Sequence, residues 1–530
     1  MFTPTDISGE PSTVGPQWTP YLSHPVDFGA QHFLEAMLNV ISQPNINSSV
    51  IMRADIISDS LNMMPNIMGT DKANEGFIFD THEGNSDKKS DDKNDNQEDA
   101  PVPPNLQDYE PRQVEVTTCP VKRVIVRRII PRNPQNDFSV NQTCIVHSDK
   151  PLWDSEGKET SEGAKIAISY ISHHDHPKSC PYYLPCVKAV LLYFDGSSIS
   201  VYYEKYTDYE LSAEQEERCS RIALHLLHTV FRHSSGQKAG YKKRVHHDMI
   251  IDRIKFQDRY IYLKQKYAHS LVSSWVESTD PRKHVFEDLA IAAFLIELWG
   301  QMYKKKDDIY FYDLGCGNGL LVNILIKEGY VGEGVDARAR KSWLTYEPEV
   351  SQKLLEKIVV PTVLLDQMVG QAQYLPPHAA EKRLAEANSL ATDPRVFQTA
   401  GLPENAFLIG NHSDELTCWI PLMDRPFMVI PCCSHALSGE KKRFPPTSSD
   451  PEEKSTYRSL VGHVEQLSSQ IGWQVEKEYL RIPSTRNAAV IGRTRVEPQL
   501  NVFEILYSEG GGEGWVERAR DLCSKNPRNH

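Results

Sequence analysis

Apolar residues recur at helical spacing over 28–41, 213–231 and 286–299, so each of these stretches predicts a helix with one buried face. Two β-prone runs, 187–194 and 198–203, are joined by an Asp-Gly-Ser sequence, which predicts a hairpin. Beyond residue 300, short apolar strands alternate with helices, as they do in layered α/β proteins. The pattern therefore predicts an N-terminal α+β domain followed by an α/β domain.

The chain divides where its apolar pattern stops. Residues 81–104 are rich in acidic side chains and nearly free of apolar ones, which predicts a disordered linker. A chain of 530 residues is long enough for two or three folding units. The predicted organisation is an N-terminal segment (1–80), the acidic linker (81–104), an α+β domain to which the N-terminal segment belongs (105–240), an α/β domain (241–508) and a C-terminal tail (509–530).

A glycine-rich loop follows the first predicted strand of the α/β domain. The strand ends at Asp313, and Gly315, Gly317 and Gly319 follow before a predicted helix begins at Leu320. Glycine lets the backbone approach a ligand closely, and the start of a helix presents unpaired N–H groups to that ligand. The loop is therefore a candidate cofactor site. The alternative is a glycine-rich turn of an ordinary α/β protein.

Two acids favour one cofactor over another. Asp336 ends the next predicted strand, where a carboxylate can accept hydrogen bonds from both hydroxyls of a ribose. The glycine spacing G-x-G-x-G differs from the dinucleotide fingerprint, and Asp313 would repel a pyrophosphate but attract the positively charged methionine part of S-adenosylmethionine. We therefore predict a Rossmann-like domain of an S-adenosylmethionine-dependent methyltransferase. The predicted cofactor-binding residues are Asp313, Gly315, Gly317, Asn318, Gly319 and Asp336.

Two polar sequences lie at the ends of later predicted strands. Residues 411–414 follow one strand and 432–435 follow the next, so both are expected beside the donor at the carboxyl edge of the sheet. A substrate that takes a methyl group has to be positioned, and a general base can accept its proton. The candidate catalytic residues are Asn411, His412 and Asp414. In the alternative interpretation this loop caps a helix predicted over 415–423. At the other strand end, His435 is a second candidate base.

No metal site is predicted. The run His173-His174-Asp175-His176 with Cys180 and Cys186 contains zinc-ligand types, but its spacing matches no standard zinc finger, so a solvated loop is the favoured interpretation. The adjacent Cys432 and Cys433 are interpreted as packed thiols, because the spacing indicates no paired base or metal.

Further motifs are spread over most of the chain. They are N-I-N-S-S-V-I-M-R-A-D-I at 45–56, T-D-P-R-K-H-V-F-E-D-L-A-I-A at 279–292, Y-D-L-G-C-G-N-G-L-L-V at 312–322, G-V-D-A-R-A-R-K-S-W at 334–343, L-I-G-N-H-S-D-E-L-T at 408–417, V-I-P-C-C at 429–433 and R-I-P-S-T-R-N at 481–487. In these stretches the chain resembles the eukaryotic tRNA (uracil-2'-O-)-methyltransferases that act on serine tRNA. The resemblance implies methyl transfer to the ribose 2'-oxygen of a uridine beside the variable arm. That family usually has an aromatic residue where Ser434-His435 stands, which weakens a catalytic role for His435.

RNA phosphates are contacted by Lys and Arg side chains. Because the formal net charge of the chain is −13, such contacts need local basic clusters. The clusters are 122–128, 242–244, 304–306, 441–443 and Arg481 with Arg486. Each alone is typical of a solvated face, but their number favours RNA, with 105–240 as the candidate domain for tRNA contact. We expect a cytoplasmic protein with tRNA as its partner, no membrane segment and no obligate protein partner. The alternatives are a methyltransferase for a protein or a small molecule, and a non-catalytic scaffold with this fold.

Overall fold

The computed structural model describes residues 2–64, 104–133, 137–154, 157–241, 247–445 and 455–524. The chain forms two compact units, Met1–Lys242 and Lys243–His530. The acidic run predicted as a disordered linker lies outside the described residues, except for Pro104. Within the described ranges, no helix is long and apolar enough to cross a membrane.

The first unit is an antiparallel sheet with two main helices. Its elements are β1 (Thr5–Asp6), β2 (Trp18–Pro25), α1 (Ala30–Ser42), β3 (Ile51–Asp59), β4 (Val121–Pro131), β5 (Val140–Ser148), β6 (Ile166–Ser172), β7 (Ala189–Phe194), β8 (Ser198–Glu204) and α2 (Ala213–Lys238). The strand order is β1-β2-β8-β7-β6-β5-β4-β3. Helices α1 and α2 bury their apolar stripes in one hydrophobic cluster with the sheet, with Phe33 and Met37 from α1 and Ala223 and Leu227 from α2. The predicted N-terminal α+β domain is confirmed.

The hairpin predicted from the Asp-Gly-Ser sequence is also confirmed, as β7 pairs with β8 in antiparallel register. The Asp195 carboxylate accepts hydrogen bonds from the N–H groups of Ser197 (2.8 Å) and Ser198 (2.7 Å). Gly196, between Asp195 and Ser197, has a φ of +104°, which explains the glycine at this turn.

The basic strand β4 turns most of its arginines inward. Arg123 is 2% exposed and forms an ion pair with Asp59 at 2.6 Å. Arg127 donates to the side chain of Gln142, and Arg128 donates to Asn141. The sequence offered 122–128 as a phosphate-binding cluster, but these three guanidinium groups are engaged inside the first unit.

The second unit is a parallel sheet that ends in an antiparallel pair. Its elements are α3 (Arg253–Ser273), α4 (Pro281–Met302), β9 (Tyr310–Leu314), α5 (Leu320–Lys327), β10 (Val331–Asp336), α6 (Pro348–Ser351), β11 (Leu354–Glu356), β12 (Ile358–Val360), α7 (Thr362–Ala372), α8 (Pro377–Thr392), β13 (Val396–Gln398), β14 (Ala406–Asn411), β15 (Phe427–Ile430), α9 (Thr456–Gln470), β16 (Trp473–Tyr479), β17 (Ala488–Arg495), α10 (Val502–Ser508) and α11 (Glu513–Ser524). The seven-stranded sheet has the order β11-β10-β9-β14-β15-β17-β16. Strands β11, β10, β9, β14 and β15 are parallel, while β17 is antiparallel to β15 and to β16.

Apolar layers cover both faces of this sheet. Helices α3, α4 and α5 contribute to one hydrophobic cluster, and α7, α9, α10 and α11 contribute to another. The chain reverses its direction of winding at β9, which lies between β10 and β14. In open α/β sheets, the carboxyl ends of the strands at such a reversal border the ligand crevice.

The structure differs from the predicted boundary at residue 508. The segment assigned to a tail forms α11, and Trp515, Val516 and Ala519 are buried in the core of the second unit. These apolar positions repeat at helical spacing, but the short segment carries too few of them to stand out against its glycines and charges.

Candidate active site

A cavity of about 740 Å³ opens at the carboxyl ends of β9, β10 and β14. Its wall contains Asp313, Gly315, Gly317, Asn318 and Asp336 of the predicted cofactor site and Asn411, His412 and Asp414 of the predicted catalytic site. Gly319 lies outside this wall, because a Cβ there would lie 2.9 Å from the side chain of Leu354. The fold thus brings two sets of residues that are far apart in sequence to one space.

The glycine loop has a left-handed backbone, with φ of +83° at Gly315, +54° at Gly317 and +72° at Gly319. At Gly315 an added Cβ would lie 3.3 Å from the Cβ of Ser413, so glycine lets the loop after β9 touch the loop after β14. At Gly317 an added Cβ would meet no atom within 4 Å, because this position faces the cavity. The loop is therefore tightly packed on one side and open to a ligand on the other.

Asp336 and Asn318 hold the glycine loop in shape. The Asp336 carboxylate accepts hydrogen bonds from the N–H groups of Gly317 (2.9 Å) and Arg338 (3.0 Å). The side-chain oxygen of Asn318 accepts a hydrogen bond from the N–H of Leu320, the first residue of α5, at 3.0 Å. Burial raises the pKa of Asp336, although both backbone N–H groups oppose that shift.

Asp313 is a buried carboxyl group with one free oxygen. Its exposed fraction is 1%, and its Oδ1 atom has no hydrogen-bond partner among the described residues. Burial raises the pKa of Asp313 well above its usual range, and the carboxylates of Asp288 and Asp336 add to that shift. Ionising such a buried carboxyl group costs free energy unless a cation or a hydrogen-bond donor contacts it. The cavity beside it is where such a ligand would fit.

Two neighbouring acids on α4, Glu287 and Asp288, complete this wall, and sequence reasoning did not identify them. Asp288 Oδ1 accepts a hydrogen bond from Asn411 Nδ2 at 3.0 Å, and Glu287 Oε1 lies 2.7 Å from His412 Nε2. Burial raises the pKa of Asp288 to about 7, and the nearby Glu287 adds to the shift. A signal was present, because the pair stands inside the apolar stretch V-F-E-D-L-A, where acids are unusual unless they have a function or a partner.

The loop after β14 has a left-handed backbone at two residues that are not glycine, with φ of +52° at His412 and +44° at Asp414. Such residues rarely adopt this conformation, so the contacts of the loop must hold it. His412 Nδ1 is buried and has no hydrogen-bond partner among the described residues, whereas Nε2 meets Glu287. Asp414 is exposed, and its Oδ1 accepts a hydrogen bond from the Cys432 thiol at 2.8 Å.

The second polar strand end, 432–435, lies outside the cavity wall. Burial raises the pKa of the Cys432 thiol, and its hydrogen bond to Asp414 adds to the shift, so this group stays a thiol at neutral pH. His435 is buried, which lowers its pKa. Of the two strand ends that were expected beside the donor, 411–414 lines the cavity and 432–435 does not.

The helix predicted over 415–423 is wrong. The segment forms two short 3-10 turns, Asp414–Leu416 and Ile420–Met423. Pro421 interrupts the pattern, because proline cannot donate a hydrogen bond in the interior of an α-helix.

The histidine-rich run 173–176 lies in the first unit and is hydrogen-bonded there. His173 lies 2.7 Å from the hydroxyl of Thr143, and His174 lies 2.8 Å from that of Tyr206. In the described part of the chain, the potential metal-ligand atoms that lie within 4.8 Å of one another belong to Asp414, Cys432 and Cys433. The zinc alternative for the run 173–186 therefore has no support in the arrangement of these side chains.

The cavity wall carries an excess of acidic side chains. The acids are Glu277, Glu287, Asp288, Asp313, Asp336, Asp414 and Glu415, and the basic residues are His284, Arg340, Lys357 and His412. Several of the acids are buried, where solvent screens their charge weakly. This charge distribution suits a ligand that carries positive charge.

Comparison with family models covers both units. The model described as "TRM44-like, N-terminal bet v1-like domain" matches residues 3–244. The model described as "Predicted AdoMet-dependent methyltransferase" matches residues 250–361, which include the glycine loop and Asp336. These matches confirm the predicted fold class and its cofactor, S-adenosylmethionine.

Curated relatives match over nearly the whole chain. A tRNA (uracil-O(2)-)-methyltransferase of Yarrowia lipolytica is 95% identical and covers 100% of both chains. That of Debaryomyces hansenii is 43% identical over 99% of this chain and 98% of its own, and that of Saccharomyces cerevisiae is 41% identical over 99% and 96%. The chain belongs to the tRNA (uracil-O(2)-)-methyltransferase family. The predicted enzyme class and the family resemblance are thus confirmed.

The first prediction for this methyltransferase concerns the open position in its glycine loop. Gly317→Val should abolish binding of S-adenosylmethionine, because a β-branched side chain would strain a left-handed residue and fill the space that faces the cavity. Isothermal titration calorimetry with the full chain measures the loss. Gly510→Val is the matched control, since Gly510 has a φ of +88°, has no atom within 4 Å of an added Cβ and lies outside the cavity wall. Normal donor binding by the Gly317 variant, or equal losses in both variants, would contradict the assignment.

The second prediction concerns protons. S-adenosylmethionine is cationic and favours ionised carboxylates, so its binding should release protons from groups whose pKa is raised, such as Asp288 with a pKa of about 7. Protonation of one such group should weaken donor affinity roughly tenfold as the pH falls from 8 to 6. Titrations in buffers of different ionisation enthalpy measure the protons released. Asp288→Asn should flatten the pH dependence, and an unchanged slope in that variant would rule out Asp288 as the titrating group.

Proposed function

We propose that this methyltransferase transfers the methyl group of S-adenosylmethionine to the ribose 2'-oxygen of a uridine in serine tRNA, beside the variable arm. The curated relatives are tRNA (uracil-O(2)-)-methyltransferases, which supports a uridine of tRNA as the target. The observation that carries the proposal is that one cavity contains both the glycine loop and the 411–414 loop. Serine tRNA rests on the sequence motifs N-H-S-D-E-L-T and I-P-S-T-R-N.

The cavity residues fit the donor. When bound, S-adenosylmethionine supplies a methyl group on a positively charged sulfur. The unpartnered oxygen of Asp313 and the carboxyl of Asp288 would face its positively charged end. Each carboxylate oxygen of Asp336 accepts one backbone hydrogen bond, from Gly317 of the glycine loop or from Arg338. Each keeps a further lone pair for a hydroxyl of the donor ribose. The loop residues Gly315, Gly317, Asn318 and Gly319 shape the backbone around the donor.

His412 is our candidate for the base. Glu287 fixes the imidazole, because a carboxylate 2.7 Å from Nε2 favours the tautomer with the proton on that nitrogen. This leaves Nδ1 as an acceptor, and Nδ1 is the ring atom without a partner. Nδ1 would accept the proton that the 2'-hydroxyl loses when it takes the methyl group. The imidazolium that forms is then stabilised by Glu287.

Asp414 and Asn411 would position groups around this reaction. Asp414 is exposed and uses Oδ1 for the Cys432 thiol, so Oδ2 can accept a hydrogen bond from a ribose hydroxyl. Asn411 donates to Asp288 and thereby joins the catalytic loop to the acids of the donor site. Alignment of the hydroxyl behind the methyl group is the main requirement for transfer to a poor nucleophile.

Variants of the 411–414 loop test these roles. His412→Ala should lower kcat by about a hundredfold or more, and its rate profile should lose the acidic limb. Glu287→Gln should lower kcat less than His412→Ala does, because the amide can still contact the ring but no longer balances the charge of the imidazolium. Asp414→Asn should lower kcat by at least roughly tenfold, with donor affinity within a few-fold of wild type.

The control is His378→Ala, an exposed histidine of the same unit outside the cavity, which should leave kcat and the pH profile unchanged. Wild-type turnover in both His412→Ala and Asp414→Asn would assign the loop a purely structural role. The search for the base would then move to 432–435.

The substrate is tested by methylation of total tRNA from cells that lack the enzyme, with labelled donor and mapping of the modified nucleotide. We expect label at one uridine beside the variable arm of serine tRNA, and purified serine tRNA should accept it where tRNAs with a short variable arm do not. Binding should weaken steeply as salt rises, because phosphate contacts release counterions. Label on a base, or on protein in the same extract, would overturn the proposal.

A further inference from the structure

A second cavity, of about 460 Å³, lies wholly within the first unit. Its wall is formed by the segment after α1, by strands β4, β5 and β6, by the loop before β7 and by the middle of α2. Its size is within the range of sites that enclose a small ligand or one residue of a larger one. Nothing in the chemistry of methyl transfer uses this space.

Buried polar groups in the cavity lack partners. Tyr170 is 8% exposed, lines the cavity, and its hydroxyl has no hydrogen-bond partner among the described residues. Asn47 also lines it, and its side-chain oxygen is buried without a partner. A buried hydroxyl or amide without a partner costs free energy, so a ligand that supplies one is favoured. Such a ligand must carry hydrogen-bonding groups on a body small enough to enter.

The cavity is also positively charged. The Arg127 guanidinium is buried and lies over the Tyr170 ring at 5.4 Å, and its hydrogen bonds go to Gln142 and to the carbonyls of Val40 and Ile41. All of these partners are neutral, so in the described part of the chain no carboxylate balances this charge. An electron-rich edge, such as the keto oxygen of a nucleobase, would be attracted to it.

The mouth of the cavity carries an exposed aromatic ring beside arginines. Tyr182 is 76% exposed, and the Arg218 guanidinium lies 4.3 Å from its ring centroid. Arg218 donates to backbone carbonyls of this loop and keeps a full positive charge, while Arg221 on the next turn of α2 meets Glu217 in a solvent-exposed pair. Exposed aromatic rings stacked with arginine are the surfaces on which unpaired RNA bases stack, and nearby arginines contact the phosphates.

We propose that this cavity binds an extruded nucleotide of the tRNA substrate, with the base inside, between the mouth at Tyr182 and the Tyr170 hydroxyl, and with the phosphate at Arg218. The inference rests on the proposed function for its RNA partner. It assigns the first unit a specific contact with unpaired RNA, in place of the 122–128 cluster whose arginines are engaged internally.

The test measures tRNA affinity of the full chain by fluorescence anisotropy. Tyr182→Ala should weaken tRNA binding about fivefold or more, because it removes the stacking surface. Tyr170→Phe should weaken it about two- to tenfold and should leave the melting temperature unchanged or higher, because the lost hydroxyl has no partner in the free protein. Tyr507→Ala is the matched control, as Tyr507 is an 89% exposed tyrosine of the other unit, and it should bind tRNA as wild type does.

Photocrosslinking with tRNA that carries 4-thiouridine gives a direct readout, and we expect a crosslinked peptide that contains Tyr182. Wild-type tRNA affinity in both Tyr182→Ala and Tyr170→Phe would overturn the inference. So would a small apolar molecule extracted from the cavity of the purified protein whose removal leaves tRNA affinity unchanged. If the wild type methylates tRNA while both variants bind normally, only this inference fails. If the wild type methylates no tRNA, the proposed function fails first.

Discussion

Burial of like-charged carboxyl groups beside one another is the constraint on which the catalytic unit depends. Asp313 is the second-last residue of β9, and Asp288 lies on α4 among side chains that belong to the apolar core. Both acids are buried, with exposed fractions of 1% and 9%. The fold therefore fixes a cluster of acids whose pKa values are raised. If the donor binds here as we propose, its positive charge would offset the free-energy cost of burying this cluster.

The same cluster contacts the loop to which we assign the acceptor. Asn411, the first residue of that loop, donates a hydrogen bond to Asp288. On the other side of that loop, Gly315 lies against Ser413 with no room for a side chain. The 411–414 loop thus contacts α4 at its first residue and the glycine loop at Ser413. These contacts join the proposed donor site to the proposed acceptor site.

Much of the architecture could be predicted because it depends on local patterns. The helical stripes of α1 and α2, the Asp195 turn and the glycine loop are all short-range signals that packing does not override. The charged groups were harder to interpret. The sequence places Arg123 in a basic cluster that is typical of a solvated face. In the structure it forms a buried ion pair with Asp59, which is far away in sequence. Glu287 and Asp288 were missed for the converse reason: a helical stripe shows which face is buried, but not which loop will meet it.

Helix α11 supplies part of the cavity wall from a segment that follows every strand of the sheet. Trp515 of α11 donates a hydrogen bond to the carbonyl of Val359 at 3.1 Å, and both residues line the donor cavity. Every strand of the sheet precedes this helix in the chain, so during synthesis the sheet can form while one wall of the cavity is still inside the ribosome. The first unit, with its own core, can fold earlier still. A chain cut short before Glu513 would keep the described strands of the sheet but would lack Trp515 in the wall of the cavity.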